Sequence, residues 1–203
     1  MTIKFKYPNG VKHLKTGHIV LEHVRLSFPN LFEPNSYKGQ GDPKFSANFL
    51  MDLDDNKEQI EDVKKIITST VKTKWAQTPK KLQMCFHPGE EKAYDGYENV
   101  MYVSAKNKKR PQIADQEGHS IVLEDDKVFA GCYVDAVVDF YARDDKYGQG
   151  VGCNLVAVIF NESGERFGGS NFDLSEITGK DIAKETAADV KEDLDDIFGE
   201  EAA

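Results

Sequence analysis

The sequence is poor in the features that most often settle a protein's class at once. It has three cysteines in 203 residues. Cys85, Cys132 and Cys153 are odd in number, far apart and outside any Cys-x-x-Cys spacing, so neither a disulfide framework nor a structural zinc site is expected. Cys132 and Cys153 sit in apolar, strand-like runs, where a free thiol behaves as a small buried hydrophobe. No uninterrupted apolar run reaches the roughly 18 residues that a membrane-crossing helix needs. The lysines of Met1 to Gly10 are not followed by an apolar signal-peptide core. A cytoplasmic, membrane-free protein is the expectation.

Catalytic signatures are equally scarce. The chain has no phosphate loop, no Gly-x-Ser-x-Gly elbow and no His-Glu-x-x-His. Cys85 and His87 lie two apart with no second pair to complete a metal site. His18 and His23 fall on opposite faces of a strand. Asp125–Asp126 and Asp144–Asp145 read as loop acids, whereas a metal-dependent nuclease needs carboxylates converging on one point. No catalytic residue, metal or cofactor is expected.

Charge is present but unevenly placed. The formal net charge is −9, which at first argues against a polyanionic partner. Residues 181–203 hold nine acids and two lysines, leaving 24 bases against 26 acids in residues 1–180. The body, 1–180, is therefore nearly neutral and the tail, 181–203, carries the imbalance. DVKEDLDDIFGEEAA sets Leu194, Ile197 and Phe198 among acids. It has too little apolar surface to fold alone, so a mobile tail is expected.

The body is rich in strand patterning. Cys132, Val134, Ala136, Val138, Phe140 and Ala142 alternate with Tyr133, Asp135, Val137, Asp139, Tyr141 and Arg143, which marks a half-buried antiparallel strand. Phe45, Ala47, Phe49, Met51 and Leu53 alternate likewise, and Met101, Val103 and Ala105 form an inward face. Val151 to Phe160 is apolar on both faces, as for a strand covered on both sides. In His18 to Phe28 the residues Val20, Val24, Leu26 and Phe28 are in phase, with Glu22 marking a bulge or an edge. One helix is expected, with Ile60, Val63, Ile67, Val71 and Trp75 on a single stripe, Asp55 and Glu58 at capping-box spacing, and Pro79 ending it. Pro29 to Pro43, Thr78 to Gly96 and Asp144 to Gly150 read as linkers. At least five short strands and one covering helix predict a mainly β protein: an OB-fold-like small antiparallel β-barrel, with a β-sandwich as the rival arrangement.

The densest chemistry lies in YENVMYVSAKNKKRPQIAD. With Met101, Val103 and Ala105 inward, Tyr102, Ser104 and Lys106 share the outer face, followed by Lys108, Lys109 and Arg110. Cations neutralise phosphates and flat rings stack on unpaired bases of any identity, so this combination suits single-stranded nucleic acid. Tyr141 and Arg143, followed by Lys146 and Tyr147, repeat the pattern. Phe28, Phe32, Tyr37, Lys38 and Lys44 form a further candidate region in the first long loop, with the core as the alternative place for Phe28 and Phe32.

The segments YENVMYVSAKNKKRPQIAD, VFAGCYVDAVVDFYARDDKYGQGVGCNLVAVIF and GERFGG resemble a family of bacteriophage single-stranded DNA-binding proteins, over about residues 15–170. The ending with Asp195, Asp196, Ile197 and Phe198 is similar to the acidic tails of bacterial and phage single-strand binders, although five residues follow Phe198. The resemblance implies an OB-fold and sequence-nonspecific binding of single-stranded DNA, with a role in phage replication, recombination or repair inside the bacterial host cytoplasm. It also implies replication or recombination proteins as tail partners, and it allows a homo-oligomer. A phage protein-interaction or structural protein working through its acidic tail is the alternative. The expected helix falls between the second and third strands, whereas a plain OB-fold places it between the third and fourth. Either Ile3 to Tyr7 adds a strand or the barrel is decorated.

Overall fold

Period-two alternation becomes strand wherever one face can be buried, and eight strands form among the described residues. They are β1 (Lys12–His13), β2 (Ile19–Asn35), β3 (Lys44–Asp52), β4 (Phe86–Pro88), β5 (Val100–Asn107), β6 (Gln112–Ala114), β7 (Tyr133–Asp145) and β8 (Gly148–Glu162). One helix, α1 (Lys57–Lys74), lies between β3 and β4. The computed structural model describes residues 10–36, 41–94, 96–146 and 148–168. Contacts define a compact unit that ends at Gly168. The tail, the boundary expected at residue 180 and Ile3 to Tyr7 lie outside the described residues. Among the described residues, no helix is long and apolar enough to cross a membrane.

The strands form a sheet in the order β4-β5-β3-β2-β7-β8-β6, with β1 added to β2. Pairing is antiparallel except between β6 and β8, which run parallel. That pair departs from the all-antiparallel expectation, because β6 leaves β5 and turns onto the far edge of β8. The sheet curls until β5 and β8 approach: Asn107 Nδ2 donates to the Leu155 carbonyl at 3.0 Å. Gln83 helps to close the same seam, since its amide donates to Gln149 O and its carbonyl accepts from Val151 N, each at 2.9 Å.

The inward faces follow the alternation closely. Phe49, Met51, Val103, Ala105, Val134, Ala136 and Val138 are fully shielded, and α1 covers them with Ile60, Val63, Ile67 and Val71. Each such aliphatic side chain contributes roughly 1.5–3 kcal/mol on burial. Leu53 is exposed because β3 stops at Asp52. Trp75 packs against the core from the helix C-cap rather than from within the helix. The expected capping box does not form. Asn56 is the N-cap, and its Oδ1 accepts from Asp52 N at 2.9 Å instead of closing the first turn. On β8 one face is shielded and the other only partly, so full cover on both sides is not realised.

The longest correction concerns β2, which continues to Asn35 through what reads as loop because two bulges reset its phase. At the first, His23 has φ 49° and the register to β7 shifts between Leu21 and Val24. Before it Ile19 and Leu21 face the core; after it Val24 and Leu26 do. The bulged backbone is satisfied by side chains. Gln59 accepts from Glu22 N and donates to Glu22 O, both at 2.8 Å, and Asp135 accepts from His23 N at 2.8 Å. At the second, Phe28 has φ 47°, the register to β3 shifts, and Leu31 takes the inward position. Phe28 is therefore turned out of the core rather than in phase with Leu26.

Candidate nucleic-acid interface

Antiparallel partners share a face, so the register of β3 and β5 fixes which groups meet outside the barrel. Leu50 faces Tyr102, Asn48 faces Ser104, and Ser46 faces Lys106. The three pairs run from apolar to polar to cationic along one surface. A groove of about 1050 Å³ follows the polar and cationic part, with Phe28 on one wall, Lys44 beside it and Lys146 contributed from the β7–β8 turn.

The apolar end is roofed. Tyr102 does lie on the outer face, but it is only 4% exposed, because Tyr97 meets it edge-on at 5.3 Å between centroids and His87 of β4 stacks on it at 5.3 Å. Leu50, Tyr97 and Tyr102 form a small cluster of their own, sealed by Val100 and Phe167. Tyr102 therefore does not stand open on that face as expected: Tyr97, His87 and Phe167 cover it. Rings do reach solvent one step further on. Phe28 is 50% and Tyr94 49% exposed, and the two meet edge-to-face at 5.1 Å. Tyr97 supports both, at 5.6 Å from Tyr94 and 6.4 Å from Phe28. Its hydroxyl accepts from Asn48 Nδ2 at 2.9 Å and donates to Ser27 Oγ at 3.2 Å, which ties the loop to the groove floor.

The cationic end holds Lys44, Lys106 and Lys146. The Lys106 side chain is exposed as a whole, yet the groove walls desolvate its ammonium and push its pKa below the usual lysine value, with the charges of Lys44 and Arg143 acting the same way. Such a group gains when an anion arrives. Lys108 pairs with Asp42 at 2.5 Å, and this hydrogen bond holds the Asp42 carboxyl below its usual range. Lys109 and Arg110 are exposed beyond the end of β5. Arg110 lies 5.9 Å over the ring of Phe32, a residue packed against the core.

Tyr141 and Arg143 occupy a neighbouring surface rather than the same groove. Tyr141, 38% exposed, lies across Gly152, where an added Cβ would sit 2.5 Å from its ring. It borders a shallow depression lined also by Thr70, Thr73 and Lys74 of α1. Arg143 bonds to Gln83 and lies 3.4 Å from Asp145. Its charge acts on both Lys106 and Tyr141, so it stands between the two surfaces. Tyr147, Tyr37, Lys38 and the tail residues Asp195, Asp196, Ile197 and Phe198 lie outside the described residues. Sequence reasoning missed Tyr94, although the Tyr-x-Gly-Tyr spacing of Tyr94, Gly96 and Tyr97 was a usable sign of a tight aromatic loop.

Among the described residues, one group of potential metal ligands stands together: Asp115, Glu117 and His119, on the turn after β6. His119 N donates to Asp115 Oδ1 at 2.8 Å and the ring approaches Asp115 Oδ2 at 3.3 Å, so turn closure accounts for the grouping.

A curled β-sheet with one covering helix and an outer groove running from rings to lysines defines a small β-barrel of the kind that takes an extended, flexible polyanion in a surface cleft. The chain belongs to the family of the Enterobacter phage Enc34 ssDNA-binding protein, whose family model matches residues 17–189. It is 36% identical over 178 residues to protein p50 of Acyrthosiphon pisum secondary endosymbiont phage 1, covering 82% of this chain and 96% of that one. The single-stranded DNA-binding protein from bacteriophage Enc34 in complex with ssDNA superposes with a TM-score of 0.70 at 25% identity, covering 81% of this chain and 97% of the other. A second structure of the single-stranded DNA-binding protein from bacteriophage Enc34 gives a TM-score of 0.69 at 25% identity, covering 85% of this chain and 96% of the other.

Proposed function

We propose that this protein binds single-stranded DNA without sequence preference and without chemistry on it, in phage DNA replication, recombination or repair in the host cytoplasm. The observation that carries the reading is the groove itself: half-exposed Phe28, met edge-to-face by half-exposed Tyr94, beside Lys44, Lys106 and Lys146. Stacking on a ring is worth roughly 1–3 kcal/mol per base and tolerates any base. The lysines neutralise phosphates, with Lys108, Lys109, Arg110 and Arg143 extending the cationic surface. Tyr141, Lys146 and Tyr147 would guide the strand past the β7–β8 turn. Kinship with a protein described in complex with ssDNA supports the same ligand here.

The acidic end, 181–203, extends the proposal. Asp195, Asp196, Ile197 and Phe198 suit a partner with a basic, apolar pocket, such as a replication or recombination protein. Fluorescence anisotropy of a labelled oligothymidine against the full chain, over a salt series, tests the core claim. Affinity should fall with salt at a slope of about −0.7 per phosphate neutralised. No binding at low salt would overturn it and leave the protein-interaction reading, in which the acidic end is the working part.

A further inference from the structure

The GERFGG segment, Gly164 to Gly169, has no part in the groove, yet its described residues are unusually well anchored. Phe167 N donates to Ala130 O at 3.0 Å, and Arg25 Nη2 donates to Glu165 O at 2.9 Å. The Arg25 guanidinium lies 4.1 Å from the centre of the Phe167 ring. Arg166 pairs with Asp126 at 2.7 Å and covers Phe129 at 3.9 Å. The approach needs glycine on both sides of the chain: a Cβ on Gly131 would sit 1.9 Å from Glu165 O, and one on Gly164 would sit 2.2 Å from Gly131 O. This much fastening delivers one apolar side chain to one place. The Phe167 ring fills the space a Cβ on Gly96 would occupy, 2.1 Å from its Cε1, and it seals the Leu50–Tyr97–Tyr102 cluster.

Gly96 lies at φ +77° between the two tyrosines that build the exposed platform. The described residues from Lys92 to Asn99, Tyr94 and Tyr97 among them, belong to neither helix nor strand. A loop of this kind keeps a ring in place only where something packs behind it, and a ring already in place binds a base without first being ordered. We propose that Phe167 is a positioning residue for base stacking: wedged behind Gly96 by the Arg25-anchored strap, it fixes the Tyr94–Tyr97 loop so that Phe28 and Tyr94 stand open to an unpaired base. The proposal rests on the single-strand reading and adds to it a dependence of base contacts, though not of phosphate contacts, on a residue that touches no DNA.

Two probes of equal length separate these contacts, an oligothymidine and an abasic sugar-phosphate strand, each titrated at a temperature where the variants are shown by circular dichroism to be folded. Phe167→Ala should bind oligothymidine about tenfold more weakly, with the abasic strand and the salt slope unchanged. Gly96→Ala, which pushes the ring out from the other side, should reproduce that pattern, and Phe167→Leu should recover much of the loss. Should Phe167→Ala not fold, Gly96→Ala and Phe167→Leu carry the comparison. Unchanged oligothymidine affinity, or equal losses on both strands, would overturn the proposal. Wild-type protein that binds both strands equally would instead overturn the stacking reading on which it rests.

Discussion

The two ends of the outer β3–β5 face are built from the same two strands and solve opposite problems. At the Leu50–Tyr102 end, apolar groups on an outer face have been roofed by a loop and a strap, so that a second small core stands outside the barrel. At the Ser46–Lys106 end, four residues or about 13 Å along the strand, the face is left open and charged. One end is packed and dry, the other an open groove lined by cations. A sequence-blind binder needs both, since stacking needs a fixed plane while phosphates accept any nearby cation.

Breaking the roofed end should have the largest effect, and it should be on stability. Tyr102 is an aromatic core residue, and truncating such a side chain typically costs about 3–5 kcal/mol. Tyr102→Ala should lower Tm by on the order of 10 °C, while Tyr102→Phe should leave oligothymidine affinity unchanged. A Tyr102→Phe variant with weakened binding and normal Tm would mean that DNA reaches the Tyr102 hydroxyl after all. The exposed rings should behave in the opposite way. Phe28→Ala combined with Tyr94→Ala should weaken oligothymidine binding by about ten- to a hundredfold, with Tm and salt slope little changed. A loss that comes with a flatter salt slope would place phosphates, not bases, at that end.

How far the sequence made this legible follows from what each signal depends on. Alternation in 132–143 and 44–53 is a local property, and the buried Val134, Ala136, Phe49 and Met51 follow it directly. The first β2 bulge left its sign in Glu22, but the phase it imposes was not legible, because the bulged backbone is held from elsewhere, by Gln59 of the helix and Asp135 of β7. Tyr102 was placed on the correct face of β5, but its exposure depends on His87, Tyr97 and Phe167, the last of them 65 residues away in sequence. The exposure of Lys108 and Lys109 was legible, since a charged strand end needs no tertiary contact to stay exposed. Facing alternates with sequence; roofing comes from tertiary contact, and no periodicity reports it.

The smallest expected effect lies at the cationic end and sets function against stability. Lys106 has its pKa lowered in the folded protein, chiefly by desolvation and further by Lys44 and Arg143. The folded state therefore disfavours its charged form. The penalty is fully present below the folded-state pKa and is relieved as pH rises from there to the unfolded value of about 10.4. At neutral pH, Lys106→Met should raise Tm slightly, by about 1 °C after solvent screening. The gain over wild type should shrink as pH approaches 10. The same substitution should weaken oligothymidine binding a few-fold and reduce the salt slope by about 0.7, the share of one phosphate. A variant that loses affinity and Tm together would show that Lys106 holds the groove in shape; one that gains Tm while losing affinity would show a cation kept, at a cost to the fold, for the strand it binds.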